Sequence, residues 1–528
     1  MAAARVRRTY AERAIAAMNE HRTEEYIIRS EAEKKRRHRP LRALFAEARH
    51  VLTAVCPCWM VSPLSVSQLL DTTRCFDFVI FDEASQVLPE DAIPAVMRGS
   101  HLVVAGDRWQ LPPTTFFAAA DDDELAEDES NAATEGYESL LDTTNAFMPS
   151  WYLDWHYRSR DETLISFSNH YIYKDRLVTF PGPGGSPVIQ HVLVQQPGFE
   201  GQEESSSAEV NKVVDHVLEH AEKRPRESLG VIAMGIRHAD RVQRAIDQAL
   251  LHRPELGQFF DANAEERFFV KNLERVQGDE RDAIVLTVGY GKDGSGNLPF
   301  RFGPLLSFGG QRRLNVAVTR ARQRMTLVSS FSHLDMDPAK VKPGTGVELL
   351  RYYLEYAASG GRRLGDLAST DFPMNSFEAE VFDVLGSRIP LVPQLGASSY
   401  RIDLVAQHPK QRGRYVLAIE CDGASYHSSP TARDRDRLRQ QHLRILAGNF
   451  IVYGPRTGLC VRRKKWTARW QLMKMLSRAS VIPSWLPKSP RHRPRPIRMR
   501  LPSNYRGARY ALTLLGATQS RSIRNGNL

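Results

Sequence analysis

Two segments constrain this chain more than any other feature. CFDFVIFDEAS (75–85) and SHLVVAGDRWQLPPT (100–114) each run an apolar strand straight into a polar loop. Strands that are apolar along their whole length belong to parallel sheets covered on both faces, and open sheets of that kind bind ligands at the loops after the strands' carboxyl ends. The pattern returns in LGVIAMGI (229–236), DAIVLTVGY (282–290) and RMTLVSSF (324–331). The sequence therefore predicts two α/β units in series.

A chain of 528 residues holds material for about three to five domains. Residues 1–50 read as a helical remnant of the first unit, with Lys34 to His38 as a solvated basic face. The rest of the first unit is placed at 51–150, with the acidic run DDDELAEDES (121–130) as a surface insertion, and the second unit at 151–337. Residues 338–372, with Pro, Gly and a GGRR step, read as a linker. A smaller α/β pattern occupies 373–445, and 446–528 forms a basic tail expected to be disordered or read in a shifted frame.

The net charge of +11 would point to a nucleic-acid partner, but its location changes the meaning. Residues 437–528 hold 21 Lys+Arg and no Asp or Glu, which leaves 51 basic against 61 acidic residues in 1–436. The basic balance is a property of the tail. No apolar run approaches the roughly eighteen residues of a membrane span, and the N-terminal stretch lacks the apolar core of a signal peptide. Cys56, Cys58, Cys75, Cys421 and Cys460 form neither a disulfide framework nor a zinc pair. A cytoplasmic location without a membrane partner is expected.

Asp82 and Glu83 stand where a buried strand ends. An Asp there can hold Mg²⁺ through its water shell, and the next Glu can orient and deprotonate the attacking water in phosphoryl transfer. After the second strand comes Gly106-Asp107-Arg108-Trp109-Gln110-Leu111-Pro112-Pro113-Thr114, followed in order by WHYRS (155–159), VQGDERD (276–282) and RRLNVAVTRAR (312–322). With these four motifs, residues 50–333 resemble superfamily-1 helicases, in the branch of the nonsense-mediated-decay RNA helicases and their DNA-unwinding relatives. The resemblance implies two RecA-like lobes that hydrolyse ATP with Mg²⁺ between them. Asp82, Glu83 and Gln110 would position metal and water, Arg158 and Arg320 would stabilise the γ-phosphate, and Glu280 would reach the ribose. Gln277, Gly278 and Thr319 would couple nucleotide state to strand grip.

The family's phosphate loop, G-x-x-x-x-G-K-[ST], occurs nowhere in the 528 residues, so the β- and γ-phosphates lack their backbone cradle. The first lobe is accordingly expected to be truncated, with ATP turnover dependent on a separate polypeptide that bears the phosphate loop. CPCWMVSPLSVSQLL (56–70) looks like a strand and turn of the first lobe, with Ser62 and Pro63 facing single-stranded nucleic acid or simply ending a buried strand.

A second chemistry follows. SFEAEVFDVLG (376–386) is a helix with Glu378 or Glu380 facing inward, and the strands ending in YRIDL (400–404) and YVLAIECDG (415–423) bring Asp403 and Glu420 together. Acidic side chains delivered to one point can hold a divalent metal that activates water. This segment resembles the PD-(D/E)XK nucleases related to very-short-patch repair endonucleases. The resemblance implies Asp403 and Glu420 as ligands of Mg²⁺ or Mn²⁺, with Asp422 and His427 as further catalytic residues. DNA is favoured over RNA as the substrate. An RNA-remodelling motor with a binding-only nuclease domain, or an inert fragment of a broken gene, are the alternatives. If the tail is read in a shifted frame from near Gln441, the nuclease sheet should lack its closing strand.

Overall fold

The computed structural model describes residues 2–453 apart from 114–138, 183–186, 196–204, 294, 307–308, 363–373, 375, 388, 397–400, 409–410 and 422–449. The acidic run 121–130, Asp422, His427 and the tail beyond Tyr453 lie outside the described residues.

The chain opens with α1 (Ala2–Glu20), α2 (Arg22–Glu33), α3 (Leu41–Glu47), α4 (Arg49–Val55) and α5 (Pro63–Leu69). These lead into β1 (Phe76–Phe81), α6 (Pro89–Val96), β2 (Gly99–Val104) and α7 (Leu140–Asn145). Strands β1 and β2 pair in parallel as a two-stranded sheet. One face, with Val79, Phe81, Leu102 and Val104, packs on Phe45, Val66, Leu70 and Leu140. The other presents Phe78 (59% exposed), Ile80 (67%) and Val103 (44%) to solvent, with Phe78 stacked on His101 at 4.9 Å between ring centroids. Half of this sheet is thus bare, although parallel strands are ordinarily covered on both sides.

The segment 56–62, read as a strand, forms none. Pro63 sits at the first helical position with Ser62 extended before it, and Val66, Leu69 and Leu70 recur at helical spacing, so the chain turns into α5.

The second lobe contains α8 (Thr163–Tyr171), β3 (Ile189–Leu193), α9 (Ser207–Lys223), β4 (Leu229–Ala233), α10 (Ile236–Leu251), β5 (Phe269–Asn272), β6 (Arg281–Thr287), α11 (Gly310–Val318), β7 (Ala321–Ser329) and α12 (Gly346–Ala358). Its five strands are all parallel, in the order β3-β7-β6-β4-β5. Every residue of β4 and β6 is buried. Alternation divides them: Val231 and Val285 meet Val210, Val213 and Val217 of α9 and Val242 and Ile246 of α10. Ile232, Ile284 and Leu286 belong to the core on the opposite face, with Phe167 of α8, Leu314 of α11 and Leu350 and Tyr353 of α12.

Helix α12 corrects the linker expected at 338–372. Its apolar residues Val347, Leu350, Leu354 and Ala357 complete the second-lobe core. The Pro and Gly that pointed to a linker belong to the turn before it, and Thr345 caps the helix by accepting the Glu348 N–H at 3.4 Å.

Beyond lie α13 (Ser376–Gly386), β8 (Leu391–Leu395), β9 (Ile402–His408), β10 (Gln411–Cys421) and β11 (Phe450–Tyr453). The sheet order is β11-β10-β9-β8, antiparallel except for the parallel pair β10 and β11. Ile402, Val405 and Ala418 share a cluster with Phe180 and the partly buried Trp155 of the second lobe. The closing strand expected to be missing is therefore present. Phe-Ile-Val-Tyr has strong strand propensity and covers the backbone of Ala418 to Cys421, which is a matter of hydrogen bonding and side-chain shape rather than of local charge.

The starts of α11 and α12 meet backbone to backbone. A Cβ on Gly346 would stand 2.5 Å from the carbonyl carbon of Gly310. Gly346→Ala should lower stability by about 1–3 kcal/mol through overpacking, read as a shifted urea midpoint with unchanged slope.

Candidate motor and nuclease sites

The candidate motor site forms where two loops of the first lobe face the second. Strand β1 ends in Asp82, which is exposed and accepts the N–H of Glu83 at 3.0 Å. Glu83 adopts φ 53, a left-handed conformation that costs a side-chain-bearing residue about 1 kcal/mol or more. Gln277 joins both loops with one amide: its Nε2 donates to Glu83 Oε2 at 3.0 Å and its Oε1 accepts the Leu111 N–H at 3.0 Å. Gly278 follows at φ +83 and lets the backbone turn there.

Asp107 organises the second loop. It accepts the Trp109 N–H at 2.9 Å, Gln110 Nε2 at 3.2 Å and the Tyr173 hydroxyl at 2.7 Å. Asn315 on α11 donates to the Trp109 carbonyl at 2.8 Å and to Tyr173 Oη at 3.0 Å. Burial, then the Asp107 charge, pushes the Tyr173 phenol far up, so it stays a neutral donor. Sequence reasoning assigned neither Tyr173 nor Asn315. Asn315 lay inside a recognised motif, while Tyr173 carries no local signal because its partner is 66 positions away.

Arg320 follows α11 and is 1% exposed. Its guanidinium donates to the Val316 carbonyl (2.8 Å), Thr319 Oγ1 (3.3 Å) and Gln110 Oε1 (3.4 Å), all neutral acceptors. Among the described residues it has no carboxylate ion-pair partner. Burial, then the nearby Arg158 cation, pushes it down to about 10, so it remains charged at neutral pH. Arg158 instead pairs with Glu280 at 2.7 Å, and Arg322 links Glu280 (3.7 Å), Asp282 (3.2 Å) and Glu266 (2.5 Å). Thr319 Oγ1 donates to the Asn315 carbonyl at 2.8 Å and so closes the end of α11. Ser62 and Pro63 lie apart from this constellation, with Ser62 Oγ on Ser65 Oγ at 2.8 Å.

In the C-terminal sheet, Ile419 pairs with Leu404, and one further antiparallel step sets position 420 opposite 403. Asp403 Oδ2 accepts the Cys421 N–H at 2.6 Å, which ties its carboxylate to the neighbouring strand end. Of the two glutamates on α13, Glu378 is buried and accepts Gln394 Nε2 at 2.8 Å, whereas Glu380 is exposed. The Asp403 carboxylate offers a hard oxygen of the kind that suits Mg²⁺ or Mn²⁺, while the Glu420 side chain lies outside the described residues. A separate group, His21, Glu24 and His50, also lies within metal-ligand reach. Its imidazoles are stacked at 4.3 Å and 11°, and Glu24 ties the group together, with Oε1 2.7 Å from His50 Nδ1 and Oε2 accepting the Val51 N–H at 2.9 Å near the start of α4.

Comparison with known proteins agrees with this architecture. Residues 7–117 and 137–332 each match a family described as an AAA domain (AAA_11 and AAA_12), and residues 377–453 match REase_MTES_1575. The uncharacterized ATP-dependent helicase MG140 homolog of Mycoplasma pneumoniae is 30% identical over 403 residues, covering 72% of this chain and 35% of the relative. Its counterpart MG140 of Mycoplasma genitalium is 32% identical over 302 residues, covering 55% and 26%. DNA replication ATP-dependent helicase/nuclease DNA2 of Xenopus laevis is 25% identical over 296 residues, covering 52% and 26%. These matches support a superfamily-1-type helicase fused to a restriction-endonuclease-like domain, which lies behind the two helicase domains. The chain spans about a third or less of the length of these relatives. No described helix is long and apolar enough to cross a membrane.

A second polar cluster lies at the carboxyl ends of β6 and β7. Glu209 on α9 is fully buried and accepts four hydrogen bonds: Gly289 N–H (2.7 Å), Thr287 Oγ1 (3.1 Å), and Ser330 N–H (2.8 Å) and Oγ (2.9 Å). His238, pushed down to about 3 by burial and then Arg241, is a neutral partner of Ser205 and Thr287. Burial outweighs the four donors and pushes Glu209 up from 4.5 to about 7. Between those values the folded state holds a proton that the unfolded chain has released. Stability should therefore fall as pH rises through this window, by at most about 1.4 kcal/mol per unit, and level off above it. Glu209→Gln should be less stable overall yet lose this slope, as measured by denaturant unfolding across the range.

Proposed function

We propose that this chain forms the γ-phosphate-sensing and strand-coupling part of an ATP-driven nucleic-acid motor, and that its C-terminal domain cuts DNA with Mg²⁺ or Mn²⁺. The observation that carries the first part is Arg320. A cation held 1% exposed against neutral acceptors has, among the described residues, no ion-paired carboxylate to offset its burial, only the charges of Glu83 and Glu280 acting from beyond contact. It contacts Gln110, and the Gln110 loop is tied through Gln277 to Glu83. A triphosphate placed between the lobes would supply that anion.

In this reading Asp82 holds Mg²⁺ through water, Glu83 orients the attacking water, and Gln110 passes their state to Arg320. When bound, the metal neutralises charge developing on the phosphates. Arg158 would exchange Glu280 for the γ-phosphate, leaving Glu280 for the ribose. Gln277, Gly278 and Thr319 lie on the connections between the first-lobe loops and the body of the second lobe, which supports a coupling role. Ser62 and Pro63, in an exposed turn, are proposed to meet the nucleic acid.

The phosphate cradle must come from outside these 528 residues. The bare face with Phe78, Ile80 and Val103 supports this, because a further first-lobe layer would cover it. For the nuclease, Asp403 and Glu420 would hold the metal, with Asp422 and His427 assisting proton transfer. DNA is preferred because several relatives are named for it, one as a helicase/nuclease. The proposed location is cytoplasmic.

The chain alone should not hydrolyse ATP. Mixed with a polypeptide bearing the phosphate loop it should turn over, and Arg320→Ala should reduce that rate roughly a thousandfold. Steady ATPase activity of the chain alone, abolished by Glu83→Gln, would overturn this. DNA cleavage should require Mg²⁺ or Mn²⁺, disappear in Asp403→Asn, and find little support from Ca²⁺. Cutting that survives excess chelator would sink the nuclease assignment.

A further inference from the structure

The connection between α2 and α3 and the start of α3 carry six Lys and Arg residues in nine positions: Lys34, Lys35, Arg36, Arg37, Arg39 and Arg42. A run of like charge is by itself a solvated, self-repelling segment. Here a buried carboxylate organises it. Glu31, in the last turn of α2 and 6% exposed, accepts Lys34 Nζ and the Arg39 backbone N–H (3.1 Å). Arg39 Nε at 3.3 Å and His38 Nδ1 at 3.7 Å complete the surround. Arg39 also pairs with Glu47 at the end of α3, so both ends of the loop are tied down.

The tip is shaped by Arg37 at φ 57, a left-handed turn in a residue that is not glycine. Lys35, Arg36, Arg37 and Arg42 are exposed, and among the described residues none has an ion-pair or hydrogen-bond partner. Two of the six cations thus brace the loop while four are displayed. This concentration runs against the composition of residues 1–436, which is net acidic.

We propose that this loop is a phosphate-backbone contact for the nucleic acid on which the motor acts, at a site outside every helicase motif. The inference rests on the nucleic-acid reading above and adds a location to it. Lysine and arginine tips on a preordered turn supply charge at fixed positions but no base-edge reading, so binding there is indifferent to sequence. Ordering the turn in advance removes part of the conformational cost of binding.

The test is fluorescence anisotropy with the full chain and a labelled single strand of about 30 nucleotides, from about 0.05 to 0.3 M KCl. Lys35→Gln/Arg36→Gln/Arg37→Gln should reduce the slope of log K against log salt by about 2, and weaken binding roughly 10- to 100-fold near 0.1 M. Glu31→Gln is a sharper probe. It makes the chain more positive, so unstructured electrostatics would tighten binding, whereas loss of the ordered turn should weaken it. A wild-type chain that fails to bind at the lowest salt would defeat the nucleic-acid reading itself. Wild-type binding with an unchanged slope in the triple variant would overturn this inference alone, as would unchanged or tighter binding by Glu31→Gln. Loss confined to phosphatidylserine vesicles, with DNA binding intact, would also overturn it by assigning the loop to a membrane surface.

Discussion

Five parallel strands that must be covered on both faces govern the second lobe. Parallel strands leave no face for water, so α9 and α10 close one side while α8, α11 and α12 close the other. Placing α11 in that layer fixes where its polar residues emerge. Asn315 and Arg320 project toward the first-lobe loop because Leu314, Val316 and Val318 are held in the core. In the first lobe, by contrast, the two described strands pack one face on Phe45, Val66, Leu70 and Leu140 and expose Phe78, Ile80 and Val103 on the other.

The junction between the lobes combines an apolar contact, Leu111 buried in the second-lobe core with Trp109 against it, with a polar network. Glu83–Gln277–Leu111 and Gln110–Asp107–Tyr173–Asn315 form two runs of directional bonds between 2.7 and 3.2 Å, joined by the backbone of the Gln110–Leu111 loop. Such bonds have definite geometry and modest net strength, about 1 kcal/mol each. Arg320 sits at this junction, 1% exposed and, among the described residues, without a carboxylate ion-pair partner.

Charge is distributed unevenly, and its effects are separable. The acid-free tail dominates net charge without determining the strand next to it, as β11 pairs through backbone groups. At the α2–α3 loop, one buried glutamate turns a stretch of like charges into a defined surface. The distinction between these stretches is structural, since composition alone describes both as basic.

Strand-loop alternation, motif order and spacing established two parallel α/β lobes followed by a smaller α/β domain, because a two-sided buried strand has to be apolar and a nucleotide loop has to be polar. They also identified Asp82, Glu83, Gln110, Gln277 and Arg320 as residues to watch, and the structure brings Glu83, Gln110, Gln277 and Arg320 to one junction. Tertiary structure decided what local pattern could not express. Helix α12 was hidden behind a Pro-Gly turn, the start of α5 was masked by an apolar run that fits strand and helix equally, and the FIVY strand was obscured by its basic surroundings. Tyr173 had no motif, and the choice between Glu378 and Glu380 depended on which side of α13 met the sheet. In each case the deciding partner lies far away in sequence, and burial, hydrogen bonding and sheet pairing exist only once the chain has brought those distant groups together.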